Sequence, residues 1–276
     1  MKNFFLGCNG DLKGGVEEGL RMKRMGVDFF ELAHTPFTDV DEALTIRDAL
    51  RKCAITPWSV HGRYLDRESW PTLEGFEHDA RIAHLLGARV IVTHSPARLE
   101  GGAFDYDRFY EAGKIAEKYE LDMAIETCHL GTDMPYSTTS YRDLIEIVDH
   151  LNMPNVGINI DTGHTHVGDR RDVETVVREV GSRLKTLHIH DNFGTRDDHQ
   201  PVGLGLINWR EVLRALRESP YCGPLMLELS GGHQGRELLR RFGYDTSAEQ
   251  EIVWSRAWLK WNWDELDYEA LHGKNA

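Results

Sequence analysis

Short apolar runs alternate along this chain with longer stretches in which apolar residues recur at helical spacing. The short runs cover about residues 3–8, 27–32, 55–61, 89–94, 121–126, 156–161, 184–190 and 224–229, and read as strands. Helical spacing is plainest in VEEGLRMKRMG (16–26), YDRFYEAGKIAEKY (106–119), YRDLIEIVDHL (141–151), VETVVREVGSRL (173–184) and WREVLRALRES (209–219). A last helix is expected near 247–262. Gly26, Gly87 and Gly181 stand at or near helix exits, where a left-handed cap is common. Regular βα alternation predicts parallel strands joined by right-handed crossovers. Eight such units over about 260 residues suit a closed α/β barrel, the (β/α)8 TIM barrel, better than an open doubly wound sheet. An open sheet would usually carry a G-x-G-x-x-G loop after its first strand, and GCNGDLKGG (7–15) spaces its glycines differently. No linker, low-complexity block or charge run divides the chain, which predicts a single domain over 1–276.

Composition narrows the partners. Hydrophobic residues are 41% and charged residues 28% of the 276, ordinary for a soluble globular protein. No stretch approaches the roughly 18 apolar residues of a membrane span. MKNFFLGCNGDLKGG is too short and too broken for a signal peptide. A cytoplasmic protein without a membrane partner is expected. Cys8, Cys53, Cys128 and Cys222 form no C-x-x-C pair and read as buried or free thiols. Lys plus Arg total 32 against 45 Asp plus Glu, a net charge of −13 that argues against nucleic acid as the main partner. Trp254, Trp258 and Trp261, at helical spacing in the last helix, read as core or as a homo-oligomer contact.

The 14 histidines change the picture, because His is the commonest metal ligand among side chains and several end strands. TPWSVH ends at His61, RVIVTH at His94, LDMAIE at Glu126, VGINID at Asp161 and PLMLE at Glu228, while LKTLHIH carries His188 and His190. Barrel active sites lie at the C-terminal strand ends, so these side chains converge on one mouth. Glu126, Asp161, His188 and Glu228, on the fifth to eighth strands, make an oxygen-rich donor set suited to Mn, Mg, Co or Zn. Asp161 by itself reads equally as a helix N-cap; four such residues on consecutive strands favour a metal. His164 follows Asp161 by three residues. His188 and His190 share a face, which allows His188 as ligand and His190 as a substrate contact. Asp197 and His199 pair a carboxylate with an imidazole, although a solvated polar loop explains them as well, and His166 reads as a loop residue. His61 and His94 occupy equivalent positions on adjacent strands and join the functional set.

On DTGH (161–164), HIHDN (188–192) with DDH (197–199), and PVGLGLINW (201–209), the chain resembles the superfamily of xylose-isomerase-like barrels. That superfamily includes sugar isomerases and epimerases and also endonuclease IV. The resemblance covers nearly the whole chain. It implies one divalent metal on Glu126, Asp161, His188 and Glu228 in the sugar branch. In the branch with a trinuclear zinc site it implies up to three, with His61, His94, His164, Asp197 and His199 as further ligands. PVGLGLINW departs from the family's P-x-G-E-G-x-I-x-W pattern at Leu204, so any role of the usual Glu is missing.

The first reading is a divalent-metal-dependent isomerase or epimerase acting on a small sugar. A metal would stabilise an enediolate, while Glu126 and Glu228 remove and return the proton. His61, His94, His190 and Glu31 would bind hydroxyls. The alternative is an endonuclease IV-like zinc phosphodiesterase, favoured by the nine filled positions and opposed by the acidic charge. A sugar- or metal-binding barrel without catalysis is opposed by the complete four-residue core. No Lys begins the loops after strands three to eight, which sets aside a Schiff-base aldolase. There is no G-x-S-x-G elbow. ELSGGHQGR (228–236) offers Arg236 and backbone N–H groups to a phosphate, though a plain loop is the stronger reading.

Overall fold

A computed structural model describes residues 2–33, 35–62, 72–95, 102–128, 139–168, 172–229, 240–241, 243 and 247–273. Its strands are β1 (Leu6–Gly10), β2 (Phe29–Leu32), β3 (Thr56–His61), β4 (Val90–His94), β5 (Asp122–Glu126), β6 (Val156–Asp161), β7 (Leu184–His188) and β8 (Leu225–Leu227). All paired neighbours are parallel, in the order β7-β6-β5-β4-β3-β2-β1-β8. A parallel bridge between Ile189 and Leu227 closes the ring. Ile189 N donates to Met226 O at 2.7 Å, and Glu228 N donates to Ile189 O at 3.1 Å. The expected α/β TIM barrel is the observed fold.

Both faces of these strands are buried, which is why they are apolar almost throughout. Outward residues such as Val60, Ile91, Ile125, Ile160 and Leu187 join the main core under the helices. Inward Val90, Val92 and Ala124 form a separate small cluster with Trp58. By strand alternation that cluster lies one layer below His94 and Glu126, so it floors the mouth.

Around the barrel run α1 (Gly15–Arg24), α2 (Val40–Lys52), α3 (Leu73–Leu86), α4 (Tyr106–Lys118), α5 (Tyr141–Leu151), α6 (Thr162–Gly168), α7 (Val173–Val180), α8 (Trp209–Glu218) and α9 (Ala248–His272). Capping boxes start α5 (Ser140 with Asp143) and α9 (Ser247 with Gln250). Gly26, Gly87 and Gly181 all have positive φ, as expected of helix exits. Two helix ends differ from the spacing by more than two residues. α7 stops at Val180, and residues 181–183 continue as a 3-10 turn. α9 runs to His272, ten residues beyond the expected end. Leu259, Trp263 and Leu266 on α9 keep packing into the core, and Arg210, Arg214 and Arg217 on α8 pair with Glu269 and Asp267.

The PVGLGLINW stretch has a structural explanation. The buried Asp191 carboxylate accepts from Asn192 N (2.9 Å), Gly203 N (3.0 Å), Ile207 N (3.2 Å) and Trp209 Nε1 (2.8 Å). One side chain thereby ties the loop into a knot and carries Asp197 and His199 to the mouth. Trp254 donates to Val202 O at 3.0 Å and Trp258 covers Gly203, so two of the three tryptophans anchor this loop; Trp261 remains 56% exposed. The four cysteines are free, with only Cys222 exposed. Among the described residues no helix is long and apolar enough to cross a membrane. Arg236 and residues 230–235 of the ELSGGHQGR segment lie outside the described residues.

Candidate active site

Glu126, Asp161, His188 and Glu228 converge as expected, each offering an atom within 4.8 Å of the others. His188 is fully buried at the centre, with Nδ1 at 2.9 Å from Glu126 Oε1 and 3.3 Å from Glu228 Oε2. Asp161 fills the expected capping role and also faces the other three residues. Its Oδ1 accepts from His164 N at 2.6 Å and so caps α6, while Oδ2 lies 3.0 Å from His190 Nε2. Thr127 Oγ1 accepts from Asp161 N at 3.0 Å and secures the strand end.

Among the described residues the outer residues take part in four further groups, His61–His94–Glu126, His164–Asp197–His199, His61–His188–Glu228 and His190–His199–Glu228. The imidazoles of His61, His164 and His199 are oriented by backbone carbonyls, which only accept. His61 Nδ1–H donates to Gly62 O (3.1 Å), His164 Nδ1–H to Thr127 O (2.9 Å) and His199 Nδ1–H to Glu228 O (3.0 Å). Each ring therefore presents Nε2 to the mouth. His164 Nε2 and His199 Nε2 lie 3.1 Å and 2.9 Å from Asp197 Oδ2. His199 holds a left-handed backbone (φ 45°), a conformation that costs energy outside glycine and recurs at functional sites. His166 bonds Asn192 Oδ1 instead and stands apart from these groups, and Asp198 pairs with Arg196.

Glu31 and His190, expected to bind sugar hydroxyls, are both fully buried. Glu31 accepts from Ser59 Oγ (2.6 Å) and sits 3.0 Å from His188 Nε2. His190 bonds Asp161 and stacks on His199, with centroids 4.0 Å apart. Glu31 thus contacts one of the ligand candidates, His188, and His190 contacts Asp161 and forms a group with His199 and Glu228. A Cβ on Gly163 would lie 1.9 Å from His190 Cε1, which explains the glycine in DTGH. Ser59 and Thr127 carried no signal in the sequence, because a hydroxyl beside a strand end is unremarkable until its partner is known.

The electrostatics follow from packing acids among imidazoles. Burial opposes charge on His61, His94, His164, His188 and His199, and the carboxylates override it for all of these but His94. Glu126 lifts His61 to about 9; Asp197, with Glu228, lifts His199 to about 9. His164 and His188 rise well above the usual range. Burial depresses His94 to about 3, with the His61 charge adding to it. His61 Nε2 and His94 Nε2 face each other at 3.3 Å, so something positive must separate the two lone pairs, either a proton or a cation. Glu126, Asp197 and Glu228 are lowered by the facing histidines despite burial.

These shifts set a pH expectation for chelator-treated protein. An unfolded His titrates near 6.5. Stability from the raised His61 and His199 is complete below that value and is lost as pH rises through about 9. The loss should be on the order of a few kcal/mol. Thermal unfolding at pH 6.5 and pH 9 checks it. His94 works the other way, losing stability as pH falls from about 6.5 toward 3. An unchanged melting temperature between pH 6.5 and 9 would refute the raised pair.

The donor chemistry fits a divalent cation. Among the described residues, every ion pair made by Glu31, Glu126, Asp161, Asp197 and Glu228 is with a histidine. Glu126 Oε2 and Asp197 Oδ1 are buried oxygens without a hydrogen bond. Buried carboxylates left this way are costly unless paired or coordinated.

Residues 20–260 match the profile of the xylose isomerase-like TIM barrel family. The chain belongs to that family. This xylose isomerase-like barrel is 28% identical over 131 residues to a D-psicose 3-epimerase of Enterocloster bolteae, covering 46% of this chain and 41% of that protein. It superposes on the crystal structure of a D-allulose 3-epimerase from Methylomonas sp. in complex with D-allulose. The TM-score is 0.71 at 17% identity, covering 95% of this chain and 98% of the other. It superposes equally on the IOLI protein with a bound zinc atom, with TM-score 0.72, 19% identity, and coverage of 96% and 99%. At such identities the superpositions establish the xylose isomerase-like fold.

Proposed function

We propose that this barrel is a divalent-metal-dependent epimerase or isomerase of a ketose or related sugar. The observation that carries the reading is the convergence of Glu126, Asp161, His188 and Glu228 at the C-terminal mouth of the barrel. Matches to sugar 3-epimerases support the same chemistry. When bound, a divalent cation on those four residues supplies positive charge beside a substrate carbonyl, which favours loss of the proton on the neighbouring carbon. Glu228, 16% exposed, is the core carboxylate with access to the mouth and takes that proton. Glu126 reaches the same centre from β5, three strands away with β6 and β7 between, and returns a proton to the other face. His61 and His94, 16% and 13% exposed, line the entrance above Glu126 and bind hydroxyls. The test is incubation with D-psicose, D-tagatose and L-ribulose 5-phosphate in deuterated buffer with Mn²⁺, Co²⁺ or Zn²⁺. Epimer or isomer carrying one solvent deuteron is expected; no product with any of these sugars would overturn the reading.

A second reading has its own observation. The groups His61–His94–Glu126 and His164–Asp197–His199 flank the core, and three cations there would suit phosphodiester hydrolysis like that of endonuclease IV. The charge of −13 weighs against a nucleic-acid substrate. Metal content per chain and cleavage of abasic duplex DNA separate the two: one metal and no cleavage supports the sugar enzyme, three metals with cleavage the hydrolase.

A further inference from the structure

We infer that Glu31 is a positioning residue that fixes the tautomer and ring orientation of His188, so that Nδ1 is the atom offered to a divalent cation. The inference rests on the reading that Glu126, Asp161, His188 and Glu228 hold such a cation. Glu31 lies on β2, on the opposite wall from the four core strands, and its side chain crosses the barrel interior. Its two oxygens lie 3.0 and 3.1 Å from His188 Nε2. Ser59 on β3 donates to Oε2 at 2.6 Å and holds the carboxylate in place. Among the described residues His188 is the only ion-pair partner of Glu31, and both side chains are fully buried. A carboxylate so enclosed gains little from filling space, since an apolar residue would do so without the desolvation cost. What it supplies is an acceptor in a fixed direction.

The geometry at the other ring nitrogen makes that direction matter. Nδ1 faces Glu126 Oε1 at 2.9 Å and Glu228 Oε2 at 3.3 Å. A neutral imidazole carries one N–H. With the proton on Nε2 and donated to Glu31, Nδ1 keeps its lone pair and joins the two glutamates as a donor. With the proton on Nδ1, the ring gives a hydrogen bond to Glu126 and has nothing to offer a cation. Glu31 selects the first arrangement and, through its charge, raises the basicity of the ring. His61, His164 and His199 receive the same service from backbone carbonyls. His188 is inverted relative to them and is served by a buried acid.

Glu31→Gln removes the charge and lets an amide N–H face Nε2. Zn²⁺ and Mn²⁺ affinities, measured by competition against a chromophoric chelator, should fall by about 10- to 100-fold. In the Zn²⁺-loaded wild-type protein, NMR should also show a slowly exchanging, downfield His188 Nε2–H proton that moves upfield in the variant. An unchanged affinity with an unmoved proton overturns the inference and leaves the cation site standing. Failure of wild-type protein to bind either metal overturns both. Circular dichroism checks folding. If Glu31→Gln does not fold, Ser59→Ala decides, because it leaves Glu31 in place and removes only its hydroxyl partner: a several-fold loss of affinity supports the inference, and wild-type affinity overturns it.

Discussion

Glu228→Gln is expected to lower turnover of a ketose substrate by about 10²- to 10⁴-fold, the usual contribution of a positioned acid or base. The residue follows β8 directly, its backbone N–H bonded to Ile189 O at the barrel closure, so its position is set by the ring and not by a loose loop. Glutamine keeps the length and one oxygen donor. It loses the ability to accept a proton from carbon. The fall should therefore sit in kcat, with KM close to wild type, as for an interaction made only in the transition state. Metal content of the variant must be measured alongside, since Glu228 is also a ligand candidate. A metal-loaded variant without turnover assigns proton transfer to Glu228. A metal-free one assigns only ligation. Wild-type turnover would remove Glu228 from the chemistry.

Removing the cation should have a larger effect still. Treatment with EDTA is expected to abolish turnover, and Mn²⁺, Co²⁺ or Zn²⁺ should restore it. Asp161→Ala should abolish it irreversibly. That residue caps α6 through His164 N, holds His190, and faces the core, so its loss disturbs three contacts at once. Binding also stabilises the fold by mass action. At a hundredfold excess over Kd the gain is about 2.7 kcal/mol, or roughly 5–10 °C in melting temperature. The gain should grow as pH rises above 6.5, because the proton that the raised His188 ring holds must leave before that ring can act as a ligand. Full activity after chelation, with no metal found by mass spectrometry, would sink the proposed chemistry.

Strand after strand of this barrel could be read from the chain because burial on both faces makes each one an unbroken apolar run with a polar terminus. VGINID and TPWSVH match β6 and β3 end to end. Helices surfaced wherever one face alone is apolar, as in α5 and α8. α6 was harder to see: it spans seven residues and is held by the Asp161 cap. The far end of α9 extends because salt bridges to α8 and core contacts of Leu266 continue it, and both depend on a neighbouring helix.

The site divides along the same line. The chain alone determined which side chains reach the mouth, since the last inward position of each parallel strand must point there. It placed Glu126, Asp161, His188 and Glu228 together with His61 and His94, while His164, Asp197 and His199 joined them through the family resemblance. Only the tertiary structure decided what each one contacts there. Glu31 meets His188 and His190 meets Asp161, contacts that no local pattern in the chain announces. Which nitrogen each imidazole presents depends on Gly62 O, Thr127 O, Glu228 O and the Glu31 carboxylate. Those partners are far apart in the chain or carry no side-chain signal. Strand alternation is a local property and is written in the order of residues. Hydrogen-bond direction across a barrel is not, because it arises only when the ring closes.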